Sequence, residues 1–77
     1  MKNIDWKILK VLYEKRSITK AAEALFMTQS ALTKRLQSIE NEWGRQLVER
    51  TSRGVNFTED GKYLVQKANI MLDFLQE

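Results

Sequence analysis

Cysteine, histidine and proline are absent from these 77 residues, and glycine occurs only three times. Without cysteine there is neither a disulfide framework nor a thiolate metal site. Without histidine as well, a transition-metal site would need carboxylates alone, and most Ser/His or Cys/His catalytic arrangements are excluded. No phosphate-binding glycine loop is present, and Glu59-Asp60 reads as charge at a helix end rather than as an acid/base pair. We therefore expect no enzyme, no metal and no cofactor in this chain. No apolar run approaches the ~18 residues that span a bilayer. The first residues also lack the apolar region of a signal peptide, so a reducing, cytoplasmic setting with no membrane partner is expected. The lack of proline favours unbroken helices.

What is present suits one small soluble domain whose elements share a single apolar centre, with 43% hydrophobic and 30% charged residues. A net charge of +3 leans towards an anionic partner. The stretch from Thr28 to Gly44 carries the clearest pattern. Leu32, Leu36, Ile39 and Trp43 recur at i, i+4, i+7 and i+11. At about 100° per residue they fall within roughly 60° of arc on one side of a helix. Ser30, Thr33, Lys34, Gln37 and Asn41 collect opposite, a face of hydroxyls, amides and one cation with no carboxylate. Thr28 is a suitable N-cap, and Gly44 suits the left-handed position that ends a helix. Gln, Ser, Thr and Lys are side chains that bond base edges and phosphate oxygens. A solvated surface would have the same pattern, so the neighbouring segments decide between the two.

Before this stretch, Asn3 can cap a helix running to about Lys15, with Ile4, Ile8, Val11 and Leu12 as its stripe, Leu9 beside it and Trp6 and Tyr13 on the flanks. Ser17 or Thr19 then caps a short helix over Lys20–Leu25, whose alanines allow close approach to a neighbour. About three residues separate it from the helix opened by Thr28. A short helix, a tight link and a longer helix with a polar outer face form a helix-turn-helix pattern.

After Gly44, residues 46–50 and 55–58 read as two short strands around the turn Thr51-Ser52-Arg53-Gly54. Arg53 stands at the tip, Arg50 below it and Arg45 nearer the base, suited to phosphates or a narrow minor groove. A polar turn kept soluble by its charges is the plain alternative. Thr58-Glu59-Asp60 opens a fourth helix expected to reach the end of the chain. Its stripe Leu64, Ala68, Met71 and Leu75 is widened by Val65 and Leu72 on one side and by Tyr63, Ile70 and Phe74 on the other. That apolar arc spans roughly 220°, about twice what one core contact uses. A second copy of the same helix, packed antiparallel, is the expected partner through Tyr63, Leu64, Ala68, Ile70, Met71, Phe74 and Leu75.

Together these segments resemble the N-terminal DNA-binding domain of LysR-type transcriptional regulators. The resemblance rests on Ala21-Ala22, Gln29-Ser30-Ala31-Leu32-Thr33, Leu36…Ile39-Glu40…Gly44, Leu47…Glu49-Arg50-Thr51…Arg53 and Thr58-Glu59…Gly61, in order at these spacings over about residues 4–77. It implies a mainly α fold: a winged helix-turn-helix over residues 1–58, with a three-helix core and a short β-hairpin wing, then a linker or dimerisation helix over 59–77. It implies double-stranded DNA as partner, a homodimer through the last helix, a nucleoid-associated bacterial regulator, and a small-molecule effector bound by a C-terminal domain outside this chain. Thr28, Gln29, Ser30, Thr33, Lys34 and Gln37 then become candidates for bases and phosphates, and Arg50 and Arg53 for wing contacts. Lys34 stands where arginine is more usual, trading a bidentate fork for a point charge. Ser30 replaces a common proline, Thr33 a common serine and Val48 a usual phenylalanine. A winged helix that binds protein instead of DNA is the alternative; steep weakening of duplex binding by salt separates the two.

Overall fold

The computed structural model describes residues 1–75, so the last two positions expected in the fourth helix lie outside the described residues. Four helices and a hairpin follow in the order α1 (Asn3–Lys15), α2 (Ile18–Ala24), α3 (Gln29–Trp43), β1 (Val48–Thr51), β2 (Gly54–Phe57) and α4 (Glu59–Leu75). The winged helix-turn-helix expected from the sequence is thus the observed architecture. Ile8, Leu9 and Leu12 of α1, Leu32, Leu36 and Ile39 of α3, and Leu64, Val65 and Ala68 of α4 meet in one core. Ala21 and Ala22 of α2 close it. Alanine at both positions lets the short helix approach without a cavity.

Helix ends follow local hydrogen bonding, with one departure. Asn3 is not the cap of α1; Lys2 takes that position and its N–H donates to Asp5 Oδ2 at 2.9 Å. Ser17 caps α2, its Oγ accepting the Lys20 N–H at 3.2 Å, and Thr28 caps α3, accepting from Ala31 N at 3.1 Å. Thr58 Oγ1 accepts from Gly61 N at 3.1 Å and donates to Gln46 O at 2.7 Å, tying the start of α4 to the chain before β1. At the end of α2 the Met27 and Phe26 amides return to Ala22 O and Glu23 O, with Phe26 at φ 56° in the left-handed position usually held by glycine.

Two expected core positions lie further out. Ile4 and Trp43 are exposed, and the Trp43 indole donates to Met1 Sδ at 2.8 Å instead of entering the interior. An unanticipated residue takes the inner side of α1. Asp5 is fully buried, and its carboxylate accepts three bonds from Arg35 of α3, at 3.1, 2.7 and 2.7 Å. A buried carboxylate needs such a partner, and this one fixes α3 against α1.

Candidate nucleic-acid interface

The outer face of α3 forms because Leu32, Leu36 and Ile39 bury the opposite side. Thr28, Gln29, Ser30, Lys34 and Gln37 are all exposed, and Thr33 is half-buried. The wing reaches Thr33. In the antiparallel register Val48 pairs with Phe57 and Arg50 with Val55. Alternation along a strand puts all four on one face of the hairpin. Val48, Val55 and Phe57 are buried there, so Arg50 emerges at the rim of the inner face, directed at α3. Its Nη2 donates to Thr33 Oγ1 at 3.0 Å. Helix and wing thus meet as one continuous polar surface.

Arg53 is exposed in the turn, whose shape is held by its N–H donating to Thr51 Oγ1 (3.2 Å) and by the Thr51 hydroxyl donating to Gly54 O (3.2 Å). Neither Arg53 nor Lys34 forms an ion pair among the described residues. Arg45 does: it lies 3.5 Å from Asp60, both exposed, which places it beside α4 rather than with the other two wing arginines.

The wing is mounted on the end of α1. Val55 N–H donates to Arg16 O at 3.0 Å. The Arg16 guanidinium lies 4.2 Å from the Tyr13 ring centre and 5.7 Å from that of Phe57. Gly54, at φ 130°, permits this approach, since a Cβ there would lie 2.3 Å from Arg16 O. On the other side, Glu40 Oε2 accepts the N–H groups of Leu47 and Val48 at 2.7 and 3.3 Å, fixing where β1 leaves α3.

Sequence reasoning missed Asp5, Arg35 and Glu40 as the residues that position these elements. For Asp5 a signal existed: it shares the helical stripe of Ile8, Leu9 and Leu12, where an acid needs a cation, and Arg35 directly precedes the core residue Leu36.

The face expected on α4 divides in two. Leu64 and Ala68, expected in a pairing surface, are buried within the domain, where α4 packs on α1. Tyr63, Ile70 and Phe74 are exposed along a separate row, at 55%, 61% and 72%. Met71 and Leu75 continue the buried stripe but are less covered, at 36% and 46% exposure. Tyr63 also lines an apolar cleft of about 260 Å³ with Trp43, Arg45, Leu47, Asp60 and Leu64. Among the described residues no group of three acidic, cysteine or histidine side chains could hold a metal, and no helix is long and apolar enough to cross a membrane.

Comparison with known proteins agrees with this fold. Residues 5–62 match the family model for bacterial regulatory helix-turn-helix proteins of the lysR family. The chain is 44% identical over 73 residues to the uncharacterized HTH-type transcriptional regulator YraN of Bacillus subtilis, covering 95% of this chain and 25% of that protein. It is 40% identical over 77 residues to the HTH-type transcriptional regulator YofA of Bacillus velezensis, covering 100% and 27%. The chain therefore spans about a quarter of the length of the curated relatives it matches. Among solved structures, the complex of the BenM DBD with catB site 1 DNA superposes with a TM-score of 0.93 at 34% identity, covering 99% of this chain and 85% of that one. The CbnR DBD–DNA complex gives a TM-score of 0.93 at 26% identity, covering 99% and 87%.

Proposed function

We propose, since the chain belongs to the lysR family of bacterial regulatory helix-turn-helix proteins, that it is the sequence-specific double-stranded DNA-binding domain of a transcription regulator. One observation carries the reading: the carboxylate-free outer side of α3 is exposed and is joined through Arg50 to a wing tipped by Arg53. α3 enters the major groove, with Gln29, Ser30 and Thr33 towards base edges and Thr28, Lys34 and Gln37 towards phosphate or base, while Arg53 holds the flanking backbone or minor groove. The alternative of a protein-binding winged helix is not favoured beside relatives solved with DNA. A cytoplasmic, nucleoid-associated location belongs to the same reading. An effector, in this reading, acts on a part of the regulator outside these 77 residues, so duplex binding by this domain needs no added small molecule.

Fluorescence anisotropy with a selected duplex and a random one tests the assignment. Arg53→Ala is expected to weaken both and to reduce the salt slope by about 1. Gln29→Ala is expected to cost about 1–3 kcal/mol on the selected duplex and little on the random one. Wild-type behaviour of both variants on both duplexes would sink the assignment.

The exposed row of Tyr63, Ile70 and Phe74, continued by Met71 and Leu75, is the surface offered to a second copy, with α4 against α4. Two third helices related by a two-fold axis then read half-sites about one helical turn apart. Light scattering should give a dimer mass for this domain, and Phe74→Lys a monomer. A Phe74→Lys protein that remains dimeric would place the contact elsewhere.

A further inference from the structure

The hydrogen bond between wing and recognition helix has a direction, and that direction constrains the partner. A guanidinium has only donors, so in the contact of Arg50 Nη2 with Thr33 Oγ1 the hydroxyl oxygen accepts. The Thr33 proton is then left for something else. In a helix its usual acceptor is the carbonyl four residues earlier. No hydrogen bond from the Thr33 hydroxyl to protein is present among the described residues. One lone pair of the Thr28 hydroxyl is likewise taken, by the Ala31 N–H.

A free threonine hydroxyl can serve as donor or acceptor, and for that reason reads base edges poorly. We propose that Arg50 is a specificity-determining positioning residue: by taking one of the two lone pairs of the Thr33 oxygen and setting a cation beside it, it biases the Thr33 hydroxyl towards donating. The base edge favoured opposite Thr33 is then a keto edge, guanine O6 or thymine O4, over the exocyclic amines of cytosine and adenine. This rests on the DNA-binding reading above. It changes the part expected of Arg50, which acts through α3 as well as on the backbone. Lys34, adjacent on the same face, adds three further donors and strengthens that bias towards acceptors.

The test is selection of duplexes from a random pool by wild type, Thr33→Val and Arg50→Met. Thr33→Val removes the hydroxyl with little change of shape, and Arg50→Met removes the donors from an exposed side chain. Wild type should prefer a keto edge at one position of each half-site by about fivefold, the low end for a base-edge contact. Thr33→Val should abolish that preference and leave the others. Arg50→Met should relax the same position to within about twofold, beyond any loss of affinity shared by all sequences.

A general loss without relaxation at that position would mean that Arg50 contributes only charge, and would overturn the proposal. So would an amine edge preferred at the position Thr33 reads, or a Thr33→Val selection identical to wild type. Failure of the wild-type domain to enrich any duplex would instead overturn the DNA-binding reading itself.

Discussion

Arg35→Ala is expected to lower the stability of the domain by about 3–5 kcal/mol, the cost of leaving one partner of a buried pair alone. Asp5 is fully buried, and three of its four hydrogen bonds come from this one guanidinium; only the Lys2 N–H would remain. A chain of 77 residues has a total stability of roughly 4–12 kcal/mol at typical per-residue values. The substitution therefore removes a large share of what holds the domain folded. The reverse change is milder. Asp5→Ala leaves a guanidinium whose side chain is already 30% exposed and can turn to water. Chemical denaturation of the two variants checks both the size and the order of the effects. A loss below about 1 kcal/mol for Arg35→Ala would mean that water reaches Asp5.

Gly61→Ala is expected to cost about 2–3 kcal/mol, although alanine is the better helix former by about 1 kcal/mol. A Cβ at Gly61 would stand 2.0 Å from Leu47 O and 3.0 Å from Phe57 Cδ2. Its nearest obstacle is backbone, so no rotamer change relieves the clash. Leu47 is held from two sides, its carbonyl accepting the Thr58 N–H at 3.0 Å and its own N–H donating to Glu40 at 2.7 Å. Either α4 retreats from the wing or β1 gives up its bonds to α3. Gly44→Ala is the control, because nothing lies within 4 Å of a Cβ there and only the left-handed backbone opposes it, at about 1 kcal/mol. Equal thermal shifts for the two variants would contradict the packing account.

Much of the fold was legible because its signals are local. The stripe of Leu32, Leu36 and Ile39 located α3, the hydroxyls of Thr28 and Thr58 marked two helix starts, and Gly44 takes the left-handed φ of 65° that its position required. The hairpin was found but its strands were misplaced. Residues 46–50 were expected in the first strand, whereas β1 is Val48–Thr51. Gln46 and Leu47 carry strand-like side chains, yet their polar groups are taken by Glu40 and Thr58, which are remote in sequence. On α4 the width of the apolar arc could be read from spacing, but not which part faces inward. Only the position of α1 decides that Leu64 and Ala68 are internal while Ile70 and Phe74 are not. Of the candidate site, the exposure of the α3 face could be foreseen. The reach of Arg50 to Thr33 could not, because it depends on the strand register and on the seating of Val48, Val55 and Phe57.

The attachment of the wing to α1 has a mechanical consequence. Bonded through Val55 to Arg16, and closely packed there at Gly54, the hairpin shares a mount with the helices. Two prongs on one mount pass part of any adjustment in their spacing to the duplex. The energy of adjusting groove width depends on base-pair steps, so sequence between the two prongs influences affinity even where no side chain touches it.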